Sequence, residues 1–431
     1  MTSAYTIELR RSPLLTALPV LIAVDLVVLF GRSRYWIGVW PEASAAAQVV
    51  TLFLGPALAA VSAWQAGRSS RAGLPEFLLG AARPAWRIEA VRLAATLTLG
   101  LLAYGLGCLV AAAVSVREAG PGFLWPSYVL LGAATLVVFA AVGHLAGRWW
   151  PSPAFTPVIC ALGCFVALLG LPVRFNVLSG HPDTRLGLFP LALRLLLALA
   201  LAVLAVTAPP RLREADRDLP PREAPWRIRG VFLGSVLTVL LTLGAALPAG
   251  ELGTPRPASA VTPLCARADG RAPEVCVWPE HRRYLPELTA MARRLDDATR
   301  TWNGTPDVYR EAGLRPTRLG DRGFWITEGH ARTAAVAMAQ QVFNDAVGRC
   351  APPRKERRAL QALESIHLWL EYRATGQDPA AADRGVDDGT TPAGLAATRA
   401  ARMDPAGQRA WVAAERGRID EETWCVPDDP Q

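Results

Sequence analysis

Seven long stretches that are nearly free of charge occupy most of the chain before residue 248. They cover residues 13–30, 45–66, 93–114, 123–145, 154–171, 188–208 and 231–247, with short arginine-bearing loops between them. Each is close to the roughly 17–25 residues that an α-helix needs to cross about 30 Å of hydrocarbon. Helices suit such segments because in lipid each must satisfy its own backbone hydrogen bonds. The pattern predicts a mainly α protein with a polytopic membrane bundle.

The 431 residues are too many for one simple domain, and the mean hydropathy of +0.23 averages two unlike halves. We expect a six-span unit over residues 1–208 and a Pro- and Arg-rich cytoplasmic linker over 209–230. A seventh transmembrane helix over 231–248 follows. Residues 249–431 are predicted to form a mostly helical, disulfide-braced soluble domain outside the membrane.

Arginines set the predicted orientation, because cytoplasmic loops of membrane proteins are enriched in Lys and Arg. They concentrate in segments 2–11, 67–92 and 209–230, whereas the alternate loops hold few. The N-terminus is therefore predicted to be cytoplasmic and the C-terminal domain extracytoplasmic, in the plasma membrane of a bacterium. The net charge of +8 lies along the membrane margin, which favours lipid headgroups over nucleic acid as partners.

Four cysteines follow the last predicted span. In an extracytoplasmic domain they indicate two disulfides, and three pairings are possible. We favour one short bridge and one that ties the chain end to a helix. A zinc site is the alternative, although no C-x2-C spacing occurs. The four residues, in the favoured pairing, are Cys265 with Cys276 and Cys350 with Cys425.

Polar and small residues within the predicted spans raise separate questions. Asp25 lies deep in the first span, where a carboxyl group is either hydrogen-bonded structurally or part of a transport path. His144 lies near the cytoplasmic end of its span, where we expect a hydrated imidazole. Gly100, Gly105 and Gly107 are expected to let helices approach closely.

The loop at residues 67–87 is longer than two neighbouring spans require. It contains a short apolar stretch with an acidic residue in its first turn, which predicts a small amphipathic helix at the cytoplasmic face. A proline then ends that helix, and arginines flank it. The residues that carry the pattern are Arg71, Glu76, Leu78, Leu79, Arg83, Pro84, Trp86 and Arg87.

In this loop, and in the Glu8-Leu9-Arg10-Arg11 start, the chain resembles the permease subunits of type-2 exporter ABC transporters. Those proteins carry a coupling helix between their second and third spans, with an acidic residue, Leu-Leu, Pro and an aromatic-Arg pair in this order. The resemblance covers residues 1–208. The seventh span and the C-terminal domain depart from the family pattern.

The resemblance implies a transport subunit rather than an enzyme. No G-x-x-x-x-G-K-[ST] loop occurs, so the chain cannot by itself cradle nucleotide phosphates. We expect no cofactor in this chain, and ATP would bind a separate ABC ATPase subunit. A second permease subunit, identical or not, would complete the transporter. The substrate moved outward would be hydrophobic or peptide-like. The alternative is a membrane-anchored sensor or envelope-binding protein with the C-terminal domain as its binding module.

The C-terminal domain is predicted to be mostly helical from its periodicity. We expect helices near residues 284–302, 331–349 and 354–375, and another that begins after Asp404-Pro405. One helical face carries Glu364, His367 and Glu371, which would suit a metal-dependent hydrolase. H-E-x-x-H is absent, so we interpret these as ordinary surface residues and predict neither catalytic nor metal-binding residues.

Overall fold

The computed structural model of the chain describes residues 2–31, 34–71, 85–120, 122–170, 175, 177, 180–209, 226–246, 252–257, 259, 261–302, 306–314, 323–327, 330–347, 350–351, 357–376, 391–422 and 424–425. The chain divides into two compact units, Met1–Pro255 and Arg256–Gln431. The first is the membrane unit and the second is the C-terminal unit.

Helices form nearly all of the membrane unit. A short helix precedes the bundle. The helices are α1 (Thr2–Arg10), α2 (Pro13–Gly31), α3 (Trp40–Val49), α4 (Thr51–Ala66), α5 (Arg68–Arg71), α6 (Ala85–Ser115), α7 (Pro126–Trp149), α8 (Phe155–Gly170), α9 (Leu188–Thr207) and α10 (Trp226–Ala246).

Six of the described helical segments are long and apolar enough to cross a membrane. They are α2, the joined α3–α4 segment, α6, α7, α9 and α10, and they are consistent with a multi-pass membrane protein. The predicted span 154–171 forms α8, which has only 16 residues. At 1.5 Å per residue it is roughly 24 Å long, shorter than the hydrocarbon core.

Contacts between helix ends fix the direction in which the chain runs. Arg148, at the end of α7, donates hydrogen bonds to the carbonyls of Ala205 and Val206 at the end of α9. Helices α7 and α9 therefore run in the same direction, and the chain between them, including α8, returns through the height of the bundle. Strand β1 (Thr184–Leu186) leads into α9 and pairs antiparallel with β2 (Gly253–Pro255), which follows α10. Helix α10 therefore ends where α9 begins.

Among the described helices, α4 and α7 make the most extensive contact, and glycines form part of it. A Cβ atom at Gly143 or Gly147 would overlap the backbone of Ala59 or Ala63. This small-xxx-small spacing lets two backbones meet in the bundle. Gly100 similarly lies against Leu58, as expected.

The expectation was wrong for two other glycines. A Cβ at Gly105 or Gly107 would meet nothing within 4 Å in the described structure.

The C-terminal unit combines a small sheet with helices. Strand β4 (Glu274–Val277) pairs antiparallel with β3 (Leu264–Ala266) and parallel with β5 (Val308–Arg310). The helices are α11 (Leu285–Thr299), α12 (Arg332–Val347), α13 (Arg357–Thr375), α14 (Pro392–Ala401) and α15 (Pro405–Glu422). Four match the predicted helices, and α14 was not predicted. Asp404 caps α15 as expected, because its Oδ1 accepts a hydrogen bond from the Gly407 N–H at 3.0 Å.

Cys265 and Cys276 form a disulfide between β3 and β4, where they lie opposite each other. Strands β6 (Cys350–Ala351) and β7 (Trp424–Cys425) pair antiparallel, with Cys350 opposite Cys425. Only the backbone of this second pair is described, so the Cys350–Cys425 disulfide stays a prediction. The structure thus shows one of the two predicted bridges, and bracing of the C-terminal unit by two disulfides stays a prediction.

Candidate functional site: an ionic cluster beside the 67–87 loop

The predicted coupling loop is described at its two ends only. At the first end, the Arg71 guanidinium donates to the Trp64 carbonyl at 2.7 Å and stacks over the Trp64 ring at 5.4 Å. Burial of this guanidinium, followed by the charge of Arg68, lowers the pKa of Arg71 from its ordinary value. Trp64 lies in the last turn of α4, so Arg71 caps that helix end.

At the other end of the loop, Trp86 and Arg87 begin α6 and are both exposed. The Arg87 guanidinium lies 5.4 Å from the centre of the Trp86 ring. This aromatic–arginine pair is therefore open to a partner. The other predicted loop residues lie outside the described structure, and their roles stay predictions: Glu76, Leu78, Leu79, Arg83 and Pro84.

Glu89, one turn into α6, is the centre of a buried ionic cluster. Its Oε2 lies 3.0 Å from His144 Nε2 of α7, and its Oε1 accepts from the Arg92 guanidinium at 3.1 Å. Only 1% of His144 is exposed, and 7% each of Glu89 and Arg92. The expectation of a hydrated His144 was wrong, because the turn of α7 that carries it is pressed against α4 by Gly143 and Gly147.

Glu8 extends the cluster to α1 and to the loop. Both of its carboxylate oxygens accept from the Arg68 guanidinium at 2.9 Å. Arg92 Nε lies 3.9 Å from Glu8 Oε1, so Arg92 stands between the two carboxylates. We call Glu8, Arg68, Glu89, Arg92 and His144 the ionic cluster, and the end of the bundle that holds it the ionic end.

A neutral hydrogen-bond chain runs beside this cluster. The Gln65 amide donates to Ser12 Oγ at 2.8 Å and accepts from Thr96 Oγ1 at 3.0 Å. All three residues are buried. Helices α2, α4 and α6 are therefore joined at the same end, and both helices that flank the loop are tied to the bundle.

At the opposite end of the bundle, uncharged groups hold the chain after α8. We call this the neutral end after that contact, although His181 and Asp183 form an ion pair there as well. The buried Gln48 amide donates to the Phe175 carbonyl and accepts from the Val177 N–H, both at 3.0 Å. Thr135 also donates to the Phe175 carbonyl, at 2.9 Å. The chain after α8 thus dips into the bundle, where Phe175 packs against Phe139. Non-helical backbone is tolerated at membrane depth only when protein surrounds it.

Asp25 lies between the two ends. Only 2% of it is exposed, and its Oδ2 has no hydrogen-bond partner within the described residues. The structural hydrogen bond that we considered from the sequence is therefore not found for this oxygen. A carboxyl group buried within a span is costly to the fold, which makes Asp25 a candidate functional residue.

The Glu364–His367–Glu371 face does not assemble as a metal site. His367 Nδ1 lies 3.2 Å from Glu371 Oε1, while Glu364 is exposed. In the described part of the C-terminal unit, three potential ligand atoms converge only at Cys265, Glu274 and Cys276, and the disulfide joins two of these. This geometry gives no support to the hypothesis of a metal-dependent hydrolase.

Comparisons of the chain with protein-family models, with curated proteins and with solved structures find no match. The functional argument therefore depends on the geometry of the chain itself.

Proposed function

We propose that the chain is the transmembrane subunit of an ABC-type exporter, which moves a hydrophobic or peptide-like substrate outward. A separate ATPase subunit would dock on the 67–87 loop, and a second permease subunit would complete the transporter. ATP would be hydrolysed on the partner chain.

One observation carries this proposal: the ionic cluster ties both helices that flank the loop to the rest of the bundle. Arg68 follows α4, and Glu89 lies at the start of α6. Through Glu8 and His144 these positions connect to α1 and α7. A force applied to the loop by a soluble partner would reach four helices through short, charge-assisted contacts.

We further propose seven membrane crossings, with the N-terminus cytoplasmic and the C-terminal unit outside. The parallel directions of α7 and α9 support counting α8 as a crossing. Its side chains Phe155, Val158 and Leu169 are more than half exposed, as in a helix that faces lipid. The pairing of β1 with β2 supports an exit of the chain at the neutral end.

The test compares ATP hydrolysis with transport in the assembled complex. The full chain would be purified with the ATPase that binds it and reconstituted into proteoliposomes, with a dansylated hydrophobic peptide as the transport probe. Glu76→Ala and Arg87→Ala should insert normally and retain ATP hydrolysis but lose ATP-dependent peptide movement. Arg117→Ala, an exposed arginine in an alternate loop, is the matched control. Normal coupling in both loop variants would contradict the proposal.

A second variant tests the ionic cluster itself. Replacing a buried charged pair by apolar residues is often neutral for stability. Replacing Glu89, Arg92 and His144 together by Leu removes the whole buried set, so this triple variant should keep the bundle folded and still uncouple hydrolysis from transport. Wild-type coupling in this variant would show that the cluster does not transmit the force.

The alternative function, an envelope-binding or sensor protein, is favoured by one observation, a polar cavity in the C-terminal unit. The absence of any ATPase bound to the wild-type chain would favour this alternative.

A further inference from the structure

A cavity of about 260 Å³ lies in the C-terminal unit between strand β5 and helix α12. Val308 and Arg310 face it from β5, whereas Tyr309 between them points into the core and is 1% exposed. This follows from the alternation of side chains along a strand. Gln341 and Asp345 line it from one face of α12, since they are four residues apart.

Gly323 forms another wall of the cavity through a close backbone approach. A Cβ atom there would come within 2.7 Å of both the Arg310 carbonyl and the Ala312 nitrogen. The missing side chain lets Phe324 bond the edge of β5, because its N–H donates to the Arg310 carbonyl at 3.0 Å. The backbone on both sides of Arg310 is therefore held in place.

The polar side chains of the cavity have bonding capacity to spare. Arg310, Asp307 and Gln341 make no side-chain hydrogen bond or ion pair with any residue in the described part of the chain. Arg310 is half-buried and offers a fork of N–H donors, Asp307 offers a carboxylate, and Gln341 offers both a donor and an acceptor. Charged and amide groups that converge on one concave surface indicate a binding site for a polar molecule.

The signs of the charges select the class of ligand. A simple anion would meet the carboxylates of Asp307 and Asp345, and a metal cation would meet the Arg310 guanidinium. A molecule that carries both an ammonium and a carboxylate group can pair with both signs. An engineered apolar cavity of about 150 Å³ holds benzene, so this one has room for on the order of ten non-hydrogen atoms.

We propose that this cavity binds a small zwitterion with a free ammonium and a free carboxylate group, of the size of a dipeptide. Arg310 binds the carboxylate, Asp307 binds the ammonium, and Gln341 bonds the atoms between them. This site does not depend on the transport proposal, because binding requires no ATPase.

The first test needs no mutation. L-alanyl-L-alanine is titrated into the full chain in detergent micelles by isothermal titration calorimetry, beside two capped analogues. N-acetyl-L-alanyl-L-alanine lacks the ammonium group, and L-alanyl-L-alaninamide lacks the carboxylate. Each cap should weaken binding by about tenfold or more, since each removes a charge-assisted hydrogen bond. No binding of the dipeptide with a Kd below about 1 mM, or equal binding of all three, would overturn the proposal.

Two variants then assign the groups. Arg310→Gln should weaken the binding of the dipeptide by about tenfold. It should leave the binding of the alaninamide analogue unchanged, because that analogue has no carboxylate for Arg310 to bind. Asp307→Asn should weaken the binding of the dipeptide. It should leave the binding of the N-acetyl analogue unchanged, because that analogue has no ammonium group for Asp307 to bind. Arg282→Gln, at an exposed arginine outside the cavity, is the control, and circular dichroism verifies that each variant is folded. Unchanged dipeptide binding in Arg310→Gln would place the ligand elsewhere.

Discussion

The two ends of the membrane unit are held by different chemistry. At the ionic end, the charged side chains of Glu8, Glu89 and Arg92 contact one another, and Glu89 also contacts His144. At the neutral end, the amide of Gln48 bonds irregular backbone inside the bundle. Ion pairs act over several ångströms and tolerate small shifts, whereas an amide bonded to two backbone groups requires one geometry. Under the proposed function, the ionic cluster is the part that would move with the loop, and the Gln48 contact is the part that would anchor the chain after α8.

The largest expected effect comes from breaking the ionic cluster at its centre. Glu89→Ala removes the partner of both His144 and Arg92 and should lower the free energy of unfolding by about 3 kcal/mol. Denaturant titration in mixed micelles measures this. A double-mutant cycle with His144→Ala should give a coupling of about 1 kcal/mol or more. If Glu89→Ala lowered the free energy of unfolding no more than a substitution at an exposed position does, the ionic cluster would not stabilise its end of the bundle.

Replacing Asp25, which lies between the two ends, should raise the free energy of unfolding rather than lower it. Asp25→Leu replaces an unsatisfied carboxyl group with an apolar side chain, so stability should rise by about 2 kcal/mol. The same titration measures it, with the conservative Asp25→Asn as the matched variant. A lower stability in both variants would mean that this carboxyl group has a stabilising partner.

A smaller effect is expected at the neutral end. Gln48→Leu leaves the Val177 N–H buried without its acceptor, while Phe175 keeps its bond from Thr135. The cost should be about 1–2 kcal/mol and should not change with salt, because no charge is involved. Measuring unfolding at low and high salt checks both points, and a strong salt dependence would contradict the neutral description.

The outer edge of the ionic cluster should contribute still less. Arg68 exposes 34% of its side chain and Glu8 21%, so water and ions screen this pair. Glu8→Gln should cost less than about 1 kcal/mol, and the cost should disappear at about 1 M salt. A cost equal to that of Glu89→Ala would mean that the whole cluster is effectively dry.

The C-terminal unit has its own histidine–glutamate pair, His367 and Glu371, whose stability effect can be compared with that of His144 and Glu89. Burial lowers the pKa of His367, beside Glu371, from its ordinary value of 6.5. The unfolded chain then binds a proton more readily than the folded chain, so stability falls as the pH drops below 6.5 through the lowered pKa. Thermal unfolding should show a slightly lower melting temperature at mildly acidic than at neutral pH. His367→Gln should make this difference smaller. His330→Gln, at an exposed histidine, should leave the pH dependence unchanged.

The sequence predicted elements whose signal is local. The period and length of apolar residues identified the long helices, and Asp404-Pro405 marked the start of α15. The predicted segment 154–171 agrees with α8 (Phe155–Gly170) to one residue at each end, but its 16 residues are short for a crossing, so the seventh crossing stays a prediction. The favoured Cys265–Cys276 bridge was confirmed, but that the two cysteines face each other across paired strands β3 and β4 was found only in the structure.

The candidate site shows the same division. The loop residues were found from a linear pattern, and Trp86 and Arg87 are exposed as a docking surface requires. Glu89 was missed, although its spacing from Arg92 is a local signal for an ion pair. Its contact with His144 joins residues 55 positions apart, and no local rule could have found it.

By itself, the sequence determined that this chain builds long apolar helices joined by arginine-bearing loops, because hydrophobicity and charge are properties of single residues. The tertiary structure decided which charges meet, that Gly143 and Gly147 rather than Gly105 and Gly107 bring helices together, and that Arg310 and Asp307 share a cavity with Gln341. Such pairings depend on distances across the fold, which are set by the packing of all the helices together.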